Sequence, residues 1–101
     1  MTLRVQTTPE ADAQIRDIDD WWRSNRAAAP DLFVSELTAA FDFIRVTPSI
    51  GRLYRRSPVA GTRRLMLKGT RYHVYYVPHA QDIRVLAVWS AQRGSGPRLR
   101  A

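Results

Sequence analysis

The chain has 101 residues, 45% hydrophobic and 25% charged, which suits one small domain with a single core and leaves no room for a second. Ten aromatic residues set it apart from disordered chains, and no apolar run approaches the roughly 20 residues of a membrane-spanning helix. Cysteine is absent, which excludes disulfides and thiolate metal sites, and the net charge of +7 points to anionic partners.

At the N-terminus Leu3 and Val5 alternate with Arg4 and Gln6, the period of a short strand with one buried face. Thr8-Pro9-Glu10 then reads as a helix start: a capping hydroxyl, a proline suited to the first helical position, and an acid at the positive end of the dipole. Ala11, Ile15, Ile18 and Trp22 share one face of that helix, which ends near Asn25. A second helix is expected to restart at Ala27, with Pro30 and Asp31 in its first turn and an apolar stripe of Phe33, Leu37, Ala40, Phe41 and Ile44. Pro48 stops it, and the pair forms an antiparallel hairpin.

Residues 49–61, with Gly51, Pro58 and Gly61, read as a surface loop carrying Arg52, Arg55 and Arg56. The period then changes to two. Strands are expected at Arg63–Leu67, Tyr72–Val77 and Ile83–Trp89, separated by turns at Gly69-Thr70 and at residues 78–82. Alternation puts His73, Tyr75 and Val77 on one face of the second of these and Tyr72, Val74 and Tyr76 on the other. Leu86-Ala87-Val88-Trp89 is apolar on both faces, as in a central or partner-covered strand. Residues 94–101 read as a flexible basic tail. The order predicts a single α+β domain spanning residues 1–101, with a helix hairpin packed on a three- to four-stranded antiparallel sheet.

Charge is segregated. Residues 1–42 carry a net −4 and residues 43–101 a net +11, and fifteen of the sixteen basic residues are arginine. The planar guanidinium fork binds carboxylate and phosphate bidentately, so the second half is suited to a polyanion or an acidic protein segment. His73 and His79 have no ligand-like neighbours, so neither a metal nor a cofactor is expected. The opening residues lack a signal-peptide layout, and the cysteine-free chain is expected in the cytoplasm without membrane association.

Several local sequences occur together along this order. They are Thr8-Pro9-Glu10-Ala11, residues 30–33, Thr47-Pro48-Ser49-Ile50-Gly51-Arg52, Gly61-Thr62-Arg63-Arg64-Leu65, Arg71-Tyr72-His73-Val74-Tyr75-Tyr76-Val77, and Val85-Leu86-Ala87-Val88-Trp89 followed by Arg93. In this arrangement nearly the whole chain resembles the ParE/RelE superfamily of bacterial toxin–antitoxin toxins. The resemblance implies a growth-arresting, plasmid-stabilising toxin held inactive by a cognate antitoxin in a heteromeric complex. It further implies that operator DNA is bound only through that antitoxin.

Two targets follow from the resemblance. ParE-like members poison DNA gyrase, whereas RelE-like members cleave mRNA on the ribosome; a non-toxic antitoxin-binding module is a third possibility. A nuclease needs groups that activate the 2′-hydroxyl and protonate the leaving oxygen. Arg64, His73 and Arg93 match such positions, with Arg71 as a further phosphate clamp, but Met66 replaces a basic residue and no proton donor follows Arg93. The favoured reading is therefore ParE-like, with no catalytic residue and a target-binding surface of Arg63, Arg64, Arg93, Arg98 and Arg100. Trp21, Leu86, Val88 and Trp89 are the candidates for contact with a ParD-like antitoxin whose C-terminal segment is acidic and amphipathic. Each has a plainer reading: the arginines as solvated side chains, His73 as a strand filler, and the tryptophans as core.

Overall fold

The computed structural model describes residues 3–100. Its first strand, β1 (Arg4–Thr7), leads into helix α1 (Pro9–Asn25). Thr8 is extended, and its hydroxyl accepts the Ala11 N–H at 3.1 Å, satisfying one of the helix's orphan donors. Pro9 sits in the first turn together with Glu10 and Asp12. Ala11 and Trp22 are buried, with Ile15 and Ile18 packed beside them, so the expected stripe is the face that meets the sheet.

Helix α2 (Leu32–Val46) starts later than the expected restart at Ala27. Residues 27–31 form a tight turn: the Ala29 N–H donates to Arg26 O, the Leu32 N–H donates to Ala29 O, and the buried Trp22 indole N–H donates to the same Ala29 oxygen at 2.8 Å. Pro30 also disfavours a helical Ala29. Asp31 holds the N-cap position without a side-chain capping bond, because its carboxylate pairs with Arg23 at 2.9 Å. Phe33, Leu37, Ala40 and Ile44 are buried as the stripe predicts, and the helix closes at Thr47, whose N–H donates to Phe43 O.

Strands β2 (Arg52–Leu53), β3 (Arg63–Leu67), β4 (Tyr72–Pro78) and β5 (Asp82–Ser90) complete a five-stranded sheet in the order β1-β5-β4-β3-β2. The α+β architecture stands, while the count and sense of the strands differ from expectation. β2 lies inside the segment read as loop, and its two residues pair with Arg63 and Arg64. β1 runs parallel to β5, with Arg4 opposite Asp82 and Thr7 opposite Val85, so the sheet is mixed.

Between Tyr75 and Tyr76 the β4–β5 register slips: Tyr75 faces Ala87 and Tyr76 faces Val85, leaving Leu86 as the extra residue of a bulge. The bulge breaks strict alternation. Ile83, Val85 and Val88 join Val74, Tyr76 and the helix stripe in one core. Leu86 and Ala87 join Tyr75, Val77 and Leu99 in a second cluster, flanked by Tyr54, Val59 and Trp89. The expected faces of β4 are thus both apolar. The segment read as a flexible tail has no regular secondary structure, yet Leu99 is only 6% exposed against this second cluster. Ala101 lies outside the described residues.

Two side chains tie helix to sheet. The Tyr76 ring is fully buried; its hydroxyl accepts the Gly51 N–H and donates to Pro48 O, each at 2.8 Å, pinning the chain that leaves α2. Glu36 of α2 accepts from Gly69 N–H, Thr70 N–H and the Thr70 hydroxyl, holding the β3–β4 turn in which Arg71 has φ 68°. Replacing Tyr76 by Phe strips the buried Gly51 N–H and the half-buried Pro48 O of their partner, and unfolding in denaturant is expected to show a loss of about 1–3 kcal/mol. Gly51→Ala is expected to destabilise similarly, because a Cβ there would stand 2.7 Å from the Tyr76 hydroxyl.

Candidate functional site

The face of the sheet turned away from the helices carries a basic cleft. Each strand from β5 to β2 contributes in turn: Arg93 just after β5, His73 and Tyr75 on β4, Arg64 on β3, and Tyr54, Arg55 and Arg56 just after β2. Gly94, Ser95 and Gly96 form the remaining wall, and the lining contains no Asp or Glu. The register explains the grouping. Arg64 lies directly opposite Tyr75 in the antiparallel pair, so both project to the same side.

Two of the arginines, Arg64 and Arg93, lie over aromatic faces. The Arg64 guanidinium lies 5.1 Å from the Tyr54 ring centroid, and the Tyr54 ring packs edge-on against Tyr75 at 5.1 Å. The Arg93 guanidinium covers Trp89 at 4.3 Å, and the Trp89 indole N–H donates to Ser95 O at 2.8 Å. Such stacks fix the plane of a guanidinium while leaving its N–H groups outward. Burial, and then the positive charge of Arg64, lower the pKa of His73 below its usual value; burial raises that of Tyr75, opposed by Arg64. The cleft therefore sets an imidazole whose charged form is disfavoured beside Arg64 and Arg93, and its net positive charge suits an anion.

A second groove lies on the other side of Trp89, between α1 and the end of β5. It is lined by Gln14, Asp17, Ile18, Trp21, Tyr72, Val88, Trp89, Ser90, Gln92 and Arg93. Gln14 reaches the strand, its Oε1 accepting the Val88 N–H at 2.9 Å. Trp21 is 45% exposed here. The ridge of Trp89 and Arg93 borders both depressions. Among the described residues, no three His, Asp or Glu side chains come together as a metal-ligand set.

The structure brings Arg64, His73 and Arg93 into one cleft but separates the other basic candidates from it. Arg63 belongs to the opposite side, where its Nη1 donates to Gly51 O at 2.7 Å and Ser49 O at 3.2 Å, so that guanidinium is engaged within the fold. Arg98 and Arg100 are exposed on either side of the buried Leu99, outside the lining, as is Arg71 in its turn. Of the apolar candidates, Trp21, Val88 and Trp89 meet at the second groove, with Val88 only 1% exposed. Leu86 is not surface at all: the bulge turns it into the second cluster at 2% exposure.

Sequence reasoning passed over Tyr54, Arg55 and Arg56 as site residues because their segment lacks periodicity; the run of basic residues beside an aromatic was the available signal. It also passed over the apolar surface of Phe43 (62% exposed) and Val46 (80%), which sit one helical turn apart and off the buried stripe of α2. Because the His73 pKa is lowered on folding, the unfolded chain takes up that proton first as pH falls below about 6.5. Stability should therefore decline from neutral pH into mild acid, and less steeply in His73→Gln, when melting temperature is followed against pH.

A family model described as the ParE toxin of the type II toxin–antitoxin system parDE matches residues 5–94. A solved structure of the chromosomal ParDE toxin–antitoxin system from P. aeruginosa is similar at a TM-score of 0.61 and 17% identity, covering 90% of this chain and 98% of that one. Comparison with curated proteins gives no match. The structural likeness is one of fold; the sequence match, which takes in both helices and every strand except Arg4 at the start of β1, shows that this chain belongs to the ParE toxin family of type II toxin–antitoxin systems.

Proposed function

We propose that this toxin arrests growth by engaging DNA gyrase and poisoning its DNA-cleavage cycle, through a basic surface centred on Arg64 and Arg93 and continued by Arg98 and Arg100. The observation that carries this reading is the match of residues 5–94 to the ParE branch of the superfamily. The site agrees with a poison that works by binding. Arg64 and Arg93 lie over aromatic rings, and among the described residues His73 has no carboxylate hydrogen-bonded to it that would orient it for proton transfer. Acting on gyrase requires the cytoplasm.

The same reading includes a ParD-like antitoxin with an acidic, amphipathic C-terminal segment, forming a hetero-oligomer that contacts operator DNA through the antitoxin. Trp21 and Trp89 in the second groove, and Phe43 and Val46 on the outer side of α2, supply apolar contacts for such a segment, with Arg93 beside the first pair. Aromatic anchors of this kind dominate interface energetics. Leu86 and Val88, at 2% and 1% exposure, offer no surface for this contact.

Purified toxin is expected to inhibit supercoiling by gyrase, with Arg93→Ala weakening inhibition about tenfold through loss of one charged contact. Unaffected gyrase at excess toxin would overturn the reading, and so would codon-positioned mRNA breaks that vanish in His73→Ala. Trp21→Ala is expected to raise the dissociation constant for the antitoxin by about tenfold or more in a calorimetric titration.

A further inference from the structure

We propose that the groove between α1 and the end of β5 is a binding site for a small planar aromatic carboxylate, a ligand of the free toxin. The groove has a volume of about 540 Å³, within the roughly 300–1,000 Å³ of small-molecule sites. Its walls are aromatic. Trp21 faces it from the helix, Trp89 from the strand, and Tyr72 from the strand beside that one. Trp22 supplies the core contact on this part of α1, so Trp21 is left 45% exposed. Indoles on two walls favour a flat ring over an aliphatic chain, because stacked rings gain beyond the area they bury.

Charge along the groove is graded. Thr8 at the start of α1 meets Val85 and Leu86, and Gln14 meets Val88, so helix and strand run the same way. Asp17, one turn before Trp21, stands toward the Gln14 end. Arg26 follows the end of α1 and Arg93 the end of β5, which puts both cations at the other end. The Arg26 guanidinium lies 5.1 Å from the Trp21 ring centroid, and that of Arg93 lies 4.3 Å from that of Trp89. Tyr72 is paired with Ser90 at this end. Burial raises the pKa of its phenol, opposed by Arg93 and then Arg26, so both guanidinium groups act on one hydroxyl. Neither arginine belongs to an ion pair among the described residues.

These features select the ligand. A carboxylate at the Tyr72 end meets two guanidinium groups and a phenol O–H, all of them donors. Its ring then lies between Trp21 and Trp89, and its far edge is directed to Asp17. The Asp17 carboxylate accepts an N–H or O–H but repels a second anion. The fit is therefore to a monoanion with a donor opposite its charge, such as a phenolic or indolic acid. A dicarboxylate or phosphate ester fails at Asp17, and acetate forgoes both indoles.

The test is an NMR titration of the full chain without antitoxin, using para-hydroxyphenylacetate and indole acetate as probes. Both should shift the indole N–H signals of Trp21 and Trp89, with dissociation constants below about 1 mM. Trp21→Ala and Arg26→Gln/Arg93→Gln should each weaken binding at least about fivefold. Arg4→Ala, which removes an exposed cation on β1, should change it by less than about twofold. Asp17→Ala should erase the preference for para-hydroxyphenylacetate over phenylacetate. Melting curves establish that the variants fold.

The proposal is overturned if neither acid binds up to about 5 mM, or if para-hydroxyphenylacetamide binds as well as the acid. Binding unchanged in Trp21→Ala would overturn it, and so would an equal loss in Arg4→Ala, which would reduce the effect to net charge. The groove is the one offered above to an antitoxin segment, but the inference stands on the groove's own charges and rings. Absent ligand binding alongside a weakened antitoxin complex in Trp21→Ala sinks this proposal alone, and the converse sinks only the antitoxin contact.

Discussion

Everything in this fold is arranged around one strand that is buried on both sides. β5 pairs with β1 along one edge and β4 along the other, yet β1 reaches only to Val85, and the bulge at Leu86 follows directly. From there α1 takes over the edge. The Thr8 N–H donates to Val85 O, the Thr8 hydroxyl to Leu86 O, and the Val88 N–H to Gln14, so backbone groups beyond the short neighbouring strand find side-chain partners instead of a ladder. The slip directs Val88 into the helix-side core and Leu86 and Ala87 into the opposite cluster. It also sets the path into Trp89 and Arg93, where both surface depressions meet.

The two faces divide the work. On the helix side, apolar residues of α1 and α2 pack against β3, β4 and β5, while Tyr76 and Glu36 lock the helix ends to the sheet through polar contacts. On the far side a smaller cluster is roofed by Tyr54, Val59 and Leu99. The basic cleft opens beside it. Acids are concentrated in the helical first half of the chain and cations in the sheet-forming second half. The molecule therefore has a built-in electrical asymmetry, with an arginine-lined sheet surface behind an acidic helix.

The sequence was informative wherever a residue's meaning is local. Thr8-Pro9-Glu10 caps a helix by chemistry that needs no distant partner, and the stripe Phe33–Leu37–Ala40–Ile44 reports burial through its spacing. Alternation also sorted the β4 residues onto their two faces, both of which are buried over Val74–Val77. It was uninformative where a distant contact decides. Two residues, Arg52 and Leu53, become a strand only because β3 lies beside them. The parallel partner of β1 lies nearly eighty positions away in the chain, and the Asp31 carboxylate pairs with Arg23 and makes no capping bond. At the site, Arg64 and Arg93 were legible as isolated cations, but their union with Arg55, Arg56 and Tyr54 depends on strand order. Leu86 and Val88 are both buried because β5 is covered on both faces, and the bulge that sends them to opposite clusters has no composition signal of its own.

The pairing of β1 with β5 also orders events in time. Residues 4–7 leave the ribosome well before residues 82–85, the strand they bind. Until then the N-terminal segment has no edge to join, and the cleft lacks the wall supplied by residues 89–96. A chain that stops short of residue 82 therefore offers the helix hairpin and its acids, but not the assembled cationic cleft.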